Sequence, residues 1–232
     1  MLPVAARTSP PRIKICGIIQ PDSAARVAAA GVDFIGLNFW PRSKRYLVPE
    51  RAPVLAAAAR GAGSVRVVGV FVDAELDDIA TIARSAALDV IQLHGDESPA
   101  FAERVAERTG CRVWKAIAAG APAMPDAPRE SAALTALDVW PVDAILLDTP
   151  TPGRGGSGRT FDWQLARDAR HAYPARRFVL AGGLGPDNVA AAIAGVAPWA
   201  IDVASGVESA PGVKDPAKLA AFLAAARAPA RS

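Results

Sequence analysis

Cysteine and histidine are scarce in this chain of 232 residues, which carries only Cys16, Cys111, His94 and His171. Two cysteines make neither a disulfide scaffold nor a cysteine-rich zinc site, and their number suits a reducing compartment. Long apolar runs are missing too: nothing approaches the roughly 18 consecutive residues of a membrane span. Met1 to Pro11 has neither the basic start nor the continuous apolar stretch of a secretory signal. Nor does one sign of charge dominate, since 26 Lys+Arg face 23 Asp+Glu for a formal net charge of +3. The pI near 9.1 would suit nucleic acid, but there is no Lys/Arg block of the kind that tracks phosphates. With 51% hydrophobic and 21% charged residues, the chain has what a globular core needs. The expectation is a cytoplasmic globular protein with neither nucleic acid nor a membrane as partner.

What the sequence does have is an alternation of two patterns. Short apolar, often β-branched runs read as strands at Arg12–Cys16, Phe34–Phe39, Val65–Val72, Val90–His94, Arg112–Ile117, Ala144–Asp148, Phe178–Ala181 and Trp199–Val203. Ala/Leu-rich stretches with helical spacing follow each, at Asp22–Ala30, Pro49–Arg60, Leu76–Ala87, Pro99–Thr109, Arg129–Leu137, Asp162–His171, Pro186–Ala194 and Pro216–Ala226. Continuous apolar strands are what a parallel sheet covered on both faces requires. Helical crossovers return the chain to a parallel neighbour. Eight even βα units without a composition break favour a single α/β domain, a (β/α)8 TIM barrel over residues 12–232 preceded by an extension, residues 1–11. A doubly wound open sheet is the competing architecture.

A TIM barrel builds its site at the C-terminal ends of its strands. Five of the eight runs close on a polar residue: Cys16, Asn38, His94, Asp148 and Asp202. Each alone has an ordinary structural explanation, such as a helix cap or a small buried thiol; together they suggest a ring of polar groups at one mouth. Glycines form a second set, Gly153 to Gly158 after the sixth strand, Gly182-Gly183 after the seventh and Ser205-Gly206 after the eighth. Such glycines let backbone N–H groups approach an anion, so a phosphate is the expected ligand of these loops. Gly153 to Gly158 also spells a dinucleotide fingerprint, and Gly153 to Thr160 nearly spells a Walker loop. Both fail on context, because Pro150 and Pro152 separate the strand from the glycines and the next helix begins only near Asp162. Finally, Arg42, Lys44 and Arg45 in the loop after the second strand suit a substrate carboxylate or phosphate, Arg being the better bidentate partner.

Several motifs occur together and in order: Lys14-Ile15-Cys16-Gly17-Ile18, Pro41 to Tyr46, Gln92-Leu93-His94-Gly95, Leu147-Asp148-Thr149, Gly155-Gly156-Ser157-Gly158, Ala181-Gly182-Gly183-Leu184, and Asp202 to Glu208. In this combination the chain resembles the phosphoribosylanthranilate isomerase family of tryptophan biosynthesis from residue 12 to about 215. Ala204 departs from the serine common in that family. The resemblance implies an Amadori rearrangement without metal or cofactor, on a small phosphosugar, by a monomer or homodimer. Asp148 would be the general acid that opens the sugar ring, and Cys16 the general base at C2′. Such roles ask for an Asp raised from about 3.9 and a Cys lowered from about 8.5. Arg45 would hold the anthranilate carboxylate. Gly156, Gly183 and Gly206 would grip the phosphate through backbone N–H groups, with the Ser205 hydroxyl, and His94 and Asp202 would support substrate binding. The alternatives are another phosphosugar-converting barrel enzyme or a non-catalytic phosphate-binding barrel. The histidine-pathway isomerase resemblance would put Asp where Cys16 stands, the indoleglycerol-phosphate synthase resemblance Lys, and a binding barrel would need neither Cys16 nor Asp148.

Overall fold

Each apolar run forms a strand, and the strands pair in chain order until the ring closes. The computed structural model describes residues 10–118, 137–148 and 163–229. The strands are β1 (Arg12–Cys16), β2 (Phe34–Asn38), β3 (Arg66–Phe71), β4 (Val90–Leu93), β5 (Arg112–Ala118), β6 (Ala144–Asp148), β7 (Phe178–Leu180) and β8 (Ala200–Val203). All neighbours are parallel, and β1 pairs with β8 from Arg12↔Ala200 to Ile15↔Val203, which closes the barrel. The open sheet is thereby excluded.

Alternation along the strands explains why the runs are apolar throughout. Ile13, Ile15, Ile35, Leu37, Ile91, Leu93, Ile145 and Leu147 point outward into the layer under the helices. Phe34, Val68, Val90, Trp114, Leu146 and Val179 point inward and fill the barrel. Among the described residues the helices are α1 (Pro21–Ala29), α2 (Ala52–Ala62), α3 (Leu76–Ser85), α4 (Pro99–Thr109), α5 (Trp163–Ala172), α6 (Val189–Val196) and α7 (Pro216–Arg227). The helix expected over Arg129–Leu137 lies outside the described residues except for Leu137, which opens a 3-10 turn to Val139. The glycine segment 153–158 and residues 1–9 of the expected extension lie outside them as well. No helix among the described residues is long and apolar enough to cross a membrane.

The N-terminal mouth is plugged. Phe34 and Trp114 meet edge to face at 4.9 Å, and Trp114 meets Trp199 in the same way at 5.8 Å. Arg12 and Arg177 cover Trp199 at 5.4 and 5.5 Å, and Arg66 covers Phe34 at 5.4 Å. At the other end, a hairpin not expected from the sequence follows β8: β9 (Glu208–Ala210) and β10 (Val213–Lys214), turned at Gly212 with φ +82°. It brings Glu208 and Lys214, both buried, to the rim of the open mouth.

Candidate active site

The open mouth holds a cavity of about 690 Å³ whose lining includes all five polar strand-end residues, Cys16, Asn38, His94, Asp148 and Asp202. Arg45, Gly183 and Ser205 line it too. Gly206 does not: it packs behind, where a Cβ would run into the Leu184 carbonyl and come within 3.0 Å of Gly185 Cα. Its missing side chain lets the loops after β7 and β8 lie against each other. Gly156 lies outside the described residues.

Cys16 ends β1 opposite Gly36, where a Cβ would stand 2.7 Å from its sulfur, so the absent side chain at Gly36 makes room for the thiol. Two residues back on the same face, Lys14 is fully buried, and its Nζ donates to Asp202 Oδ2 at 2.8 Å. The second Asp202 oxygen, Oδ1, is buried without a protein partner. This pair sits between the apolar filling and the cavity, and it changes the expectation for Cys16. Burial pushes the Cys16 thiol up; Lys14 and Lys214 pull it down, Asp202 pushes it up further, and the net shift is upward. A lowered thiol was expected, but in the barrel interior the two ammonium groups do not outweigh desolvation. The same surroundings raise Lys14: burial works against its charge, but the Asp202 carboxylate and Cys16 overcome it.

On the other side of the ring, His94 Nε2 lies 3.4 Å from Asp148 Oδ2. Gln92, two residues back on β4 and buried, places its Nε2 2.8 Å from His94 Nδ1. A donating Gln92 amide leaves the ring proton on Nε2, the nitrogen that faces Asp148. β6 and β1 stand three places apart around the ring, so Cys16 and Asp148 face the cavity from different sides.

The loop after β2 separates its three cations. Arg42 and Lys44 are exposed, whereas Arg45 turns inward and is half-buried. Its Nε lies 2.9 and 3.1 Å from the two oxygens of Glu208, and its Nη2 lies 2.6 Å from Oε2. Lys214 Nζ donates to the same carboxylate at 2.7 Å, to the Cys16 carbonyl at 2.6 Å and to the Ala204 carbonyl at 3.2 Å. Burial raises the Glu208 carboxyl, but Arg45 and Lys214 more than reverse this and hold it below the usual carboxylate range. Burial lowers Lys214 despite Glu208.

After β7, Gly182 and Gly183 both take left-handed backbone (φ +83° and +62°). Asn188 fixes this loop, accepting from Gly185 N at 2.8 Å and donating to the Gly183 carbonyl at 2.9 Å. The loop leads into α6, whose first N–H groups point back toward it. Sequence reasoning missed Lys14, Gln92, Glu208, Lys214 and Asn188. A lysine and a glutamine inside apolar strand runs were the available signals for the first two.

The chain matches the family model described as PRAI, N-(5'phosphoribosyl)anthranilate (PRA) isomerase, over residues 13–225. It is 44% identical over 220 residues to the N-(5'-phosphoribosyl)anthranilate isomerase of Geobacter sp. (strain M21), spanning 93% of this chain and 98% of that protein. Among solved structures, phosphoribosyl anthranilate isomerase from Thermotoga maritima aligns with TM-score 0.80 at 39% identity, over 93% of this chain and 98% of the other. A further isomerase structure, in complex with reduced 1-(o-carboxyphenylamino)-1-deoxyribulose 5-phosphate, aligns with TM-score 0.76 at 36% identity over the same shares.

Proposed function

The chain belongs to the N-(5'-phosphoribosyl)anthranilate isomerase family, and from that premise we propose how its barrel mouth performs the reaction. The enzyme is an isomerase of tryptophan biosynthesis: it converts N-(5'-phosphoribosyl)anthranilate, an aminoaldose, into the 1-(2-carboxyphenylamino)-1-deoxyribulose 5-phosphate ketose. Asp148 gives a proton to the ring oxygen, the C1′–O bond breaks, and the anthranilate nitrogen supplies the electron pair that makes an iminium. Cys16, as thiolate, then takes the C2′ proton. The C–H electron pair forms the C1′=C2′ bond of an enolamine while the iminium nitrogen recovers its lone pair. Return of a proton to C1′ and loss of the O2′ proton give the ketone. The substrate's own nitrogen is the electron sink, and the rearrangement has no net redox change.

The observation that carries this reading is the convergence of Cys16 and Asp148 on one cavity from different strands of the ring. A thiolate with a raised pKa is scarcer at neutral pH but the stronger base, and Lys14 and Lys214 are the cations beside it that favour that form. His94 steadies the Asp148 carboxyl. The free oxygen of Asp202 accepts from a substrate N–H or O–H, which gives a buried acceptor the partner it lacks. Arg45 takes the anthranilate carboxylate. The phosphate lies at the other end, on backbone N–H groups of the loop after β7, including that of Gly183, and on the Ser205 hydroxyl. Gly206, expected beside it, instead packs behind the cavity and lets the loops after β7 and β8 meet. The reaction runs in the cytoplasm on a small phosphosugar, with the chain as a monomer or homodimer.

Purified Cys16→Ala and Asp148→Asn test the pair. Each is expected to lower kcat by about 10²-fold or more with a much smaller change in KM. Cys111→Ser, before β5 at the opposite end, leaves kcat unchanged. Near-normal turnover in either of the first two variants removes that residue from the mechanism.

A further inference from the structure

A guanidinium has two edges able to grip a carboxylate with a pair of parallel N–H groups: the side edge, from Nε and Nη2, and the end edge, from Nη1 and Nη2. In Arg45 the side edge is taken. Nε and Nη2 both engage Glu208, at 2.6 to 3.1 Å, through a side chain that is 4% exposed. We propose that Glu208 is a positioning residue for substrate recognition: it holds Arg45 by the side edge and so presents the end edge to the cavity, aimed at a second, planar carboxylate. The inference rests on the reading that Arg45 receives the substrate carboxylate, and it names what makes that reception selective.

Three further contacts make the holding rigid. The Arg45 stem lies across Gly17, whose φ is +77° and whose Cβ, if present, would occupy the place of Arg45 Cδ. The Arg45 backbone N–H donates to Ser43 Oγ at 3.1 Å, which fixes the turn that carries the side chain. Glu208 is itself anchored, accepting from Lys214 Nζ at 2.7 Å and Gly212 N at 3.2 Å. Counted together, Arg45, Glu208 and Lys214 carry two positive charges and one negative. The cluster thus faces the cavity with a net positive charge although its best acceptor is already engaged, and an anionic ligand completes it. Lys214 also donates to the Cys16 carbonyl at 2.6 Å, so the same cluster ties the carboxylate-binding end to the backbone of the proposed base. A guanidinium free to rotate would lose orientational freedom when the carboxylate binds; one already held loses little, and preorganisation of this kind appears in KM.

The experiment compares the substrate with its analogue lacking the ring carboxylate, N-(5'-phosphoribosyl)aniline, in wild type, Arg45→Ala and Glu208→Gln. Wild type should prefer the carboxylated substrate in kcat/KM, and Arg45→Ala should lose most of that preference. Glu208→Gln keeps the shape but not the charge; it should cut the preference by about tenfold or more, through KM, so that the carboxylated substrate loses at least about tenfold more than the analogue. Equal losses on both substrates would make Glu208 a merely structural residue and overturn the inference. A preference that survives Arg45→Ala would overturn instead the reading on which it rests. Should Glu208→Gln fail to fold, a crystal structure of wild type with a reduced product analogue decides. Arg45 should bond Glu208 and the ligand carboxylate at once, through its two edges; an Arg45 that leaves Glu208 to reach the ligand refutes the assignment.

Discussion

Gly36→Ala adds one methyl group beside the proposed base and should separate catalysis from stability. The new Cβ would stand 2.7 Å from Cys16 Sγ, 3.1 Å from Cys16 Cα and 3.2 Å from Cys16 Cβ. Comfortable packing needs about 3.5 to 4 Å, so the sulfur must retreat by roughly 1 Å while the backbone yields a few tenths. The sulfur is the free end of a side chain next to a cavity, and rotation about one bond relieves most of the clash. The stability loss should therefore be small, about 1 kcal/mol, at the low end for overpacking. The rate loss should not be small: a misplacement of about 1 Å at a reacting group can cost 10²-fold in kcat. Gly69→Ala is the matched control. It too lies within a strand and away from positive φ, but its Cβ would meet Leu88, and Phe71 Cε2 at 2.8 Å, on the outer face under the helices. That substitution should cost about 1 to 3 kcal/mol of stability and leave kcat alone. Steady-state turnover and urea unfolding of both variants give four numbers. If Gly36→Ala turned over within about twofold of wild type, well short of that 10²-fold cost, the thiol would not need its present position and Cys16 would not be the base.

Two further outcomes follow from the site. Because the Cys16 thiol is raised above the ordinary value of about 8.5, its active thiolate grows as pH climbs through the raised value. The kcat/KM profile and the iodoacetamide alkylation rate of a Cys111→Ser protein should therefore both still be rising at about pH 8.5; a shared plateau reached below about pH 7.5 would refute the raised thiol, and a kcat/KM profile that does not follow alkylation would contradict the base assignment. Gly183→Val puts a β-branched side chain at φ +62° in the loop after β7. It should raise KM sharply and abolish competition by inorganic phosphate, and unchanged phosphate competition would move the phosphate away from this loop.

Most of the barrel was legible because burial on both faces leaves a simple trace, an unbroken apolar run between helical patterns. Boundaries shifted where side chains do something other than pack. Helix α6 was expected to begin at Pro186 but begins at Val189, because Asn188 spends its amide on Gly183 and Gly185 in the loop ahead. The β9–β10 hairpin left no alternation to read; it is five residues of strand held by the Glu208–Lys214 ion pair and a left-handed Gly212. Within the site, strand-end residues were legible because topology alone sends them to one mouth. The engagement of Arg45 by Glu208 was not, since nothing in the sequence links residues that far apart. The direction of the Cys16 shift was missed for a related reason. It depends on the balance among Lys14, Asp202, Lys214 and the surrounding barrel wall, which becomes visible only when β1, β8 and β10 are in place within the closed ring.

The aromatic plug at the N-terminal mouth bears on how the chain acquires its structure. Phe34, Trp114 and Trp199 come from β2, β5 and the segment just before β8, and the arginines that cover them come from β1, β3 and the segment before β7. Trp199 sits at the seam, its carbonyl accepting from Arg12 N at 3.1 Å and its N–H donating to the Phe178 carbonyl at 2.9 Å. The plug is thus completed only when the first and last strands meet, a contact of the largest sequence separation the barrel contains and slow for that reason. Before that moment a growing chain carries Phe34 and Trp114 without their third partner, with apolar surface open to other chains. The partial burial of one indole, Trp199, is therefore a clock for ring closure, readable as a late fluorescence change in refolding.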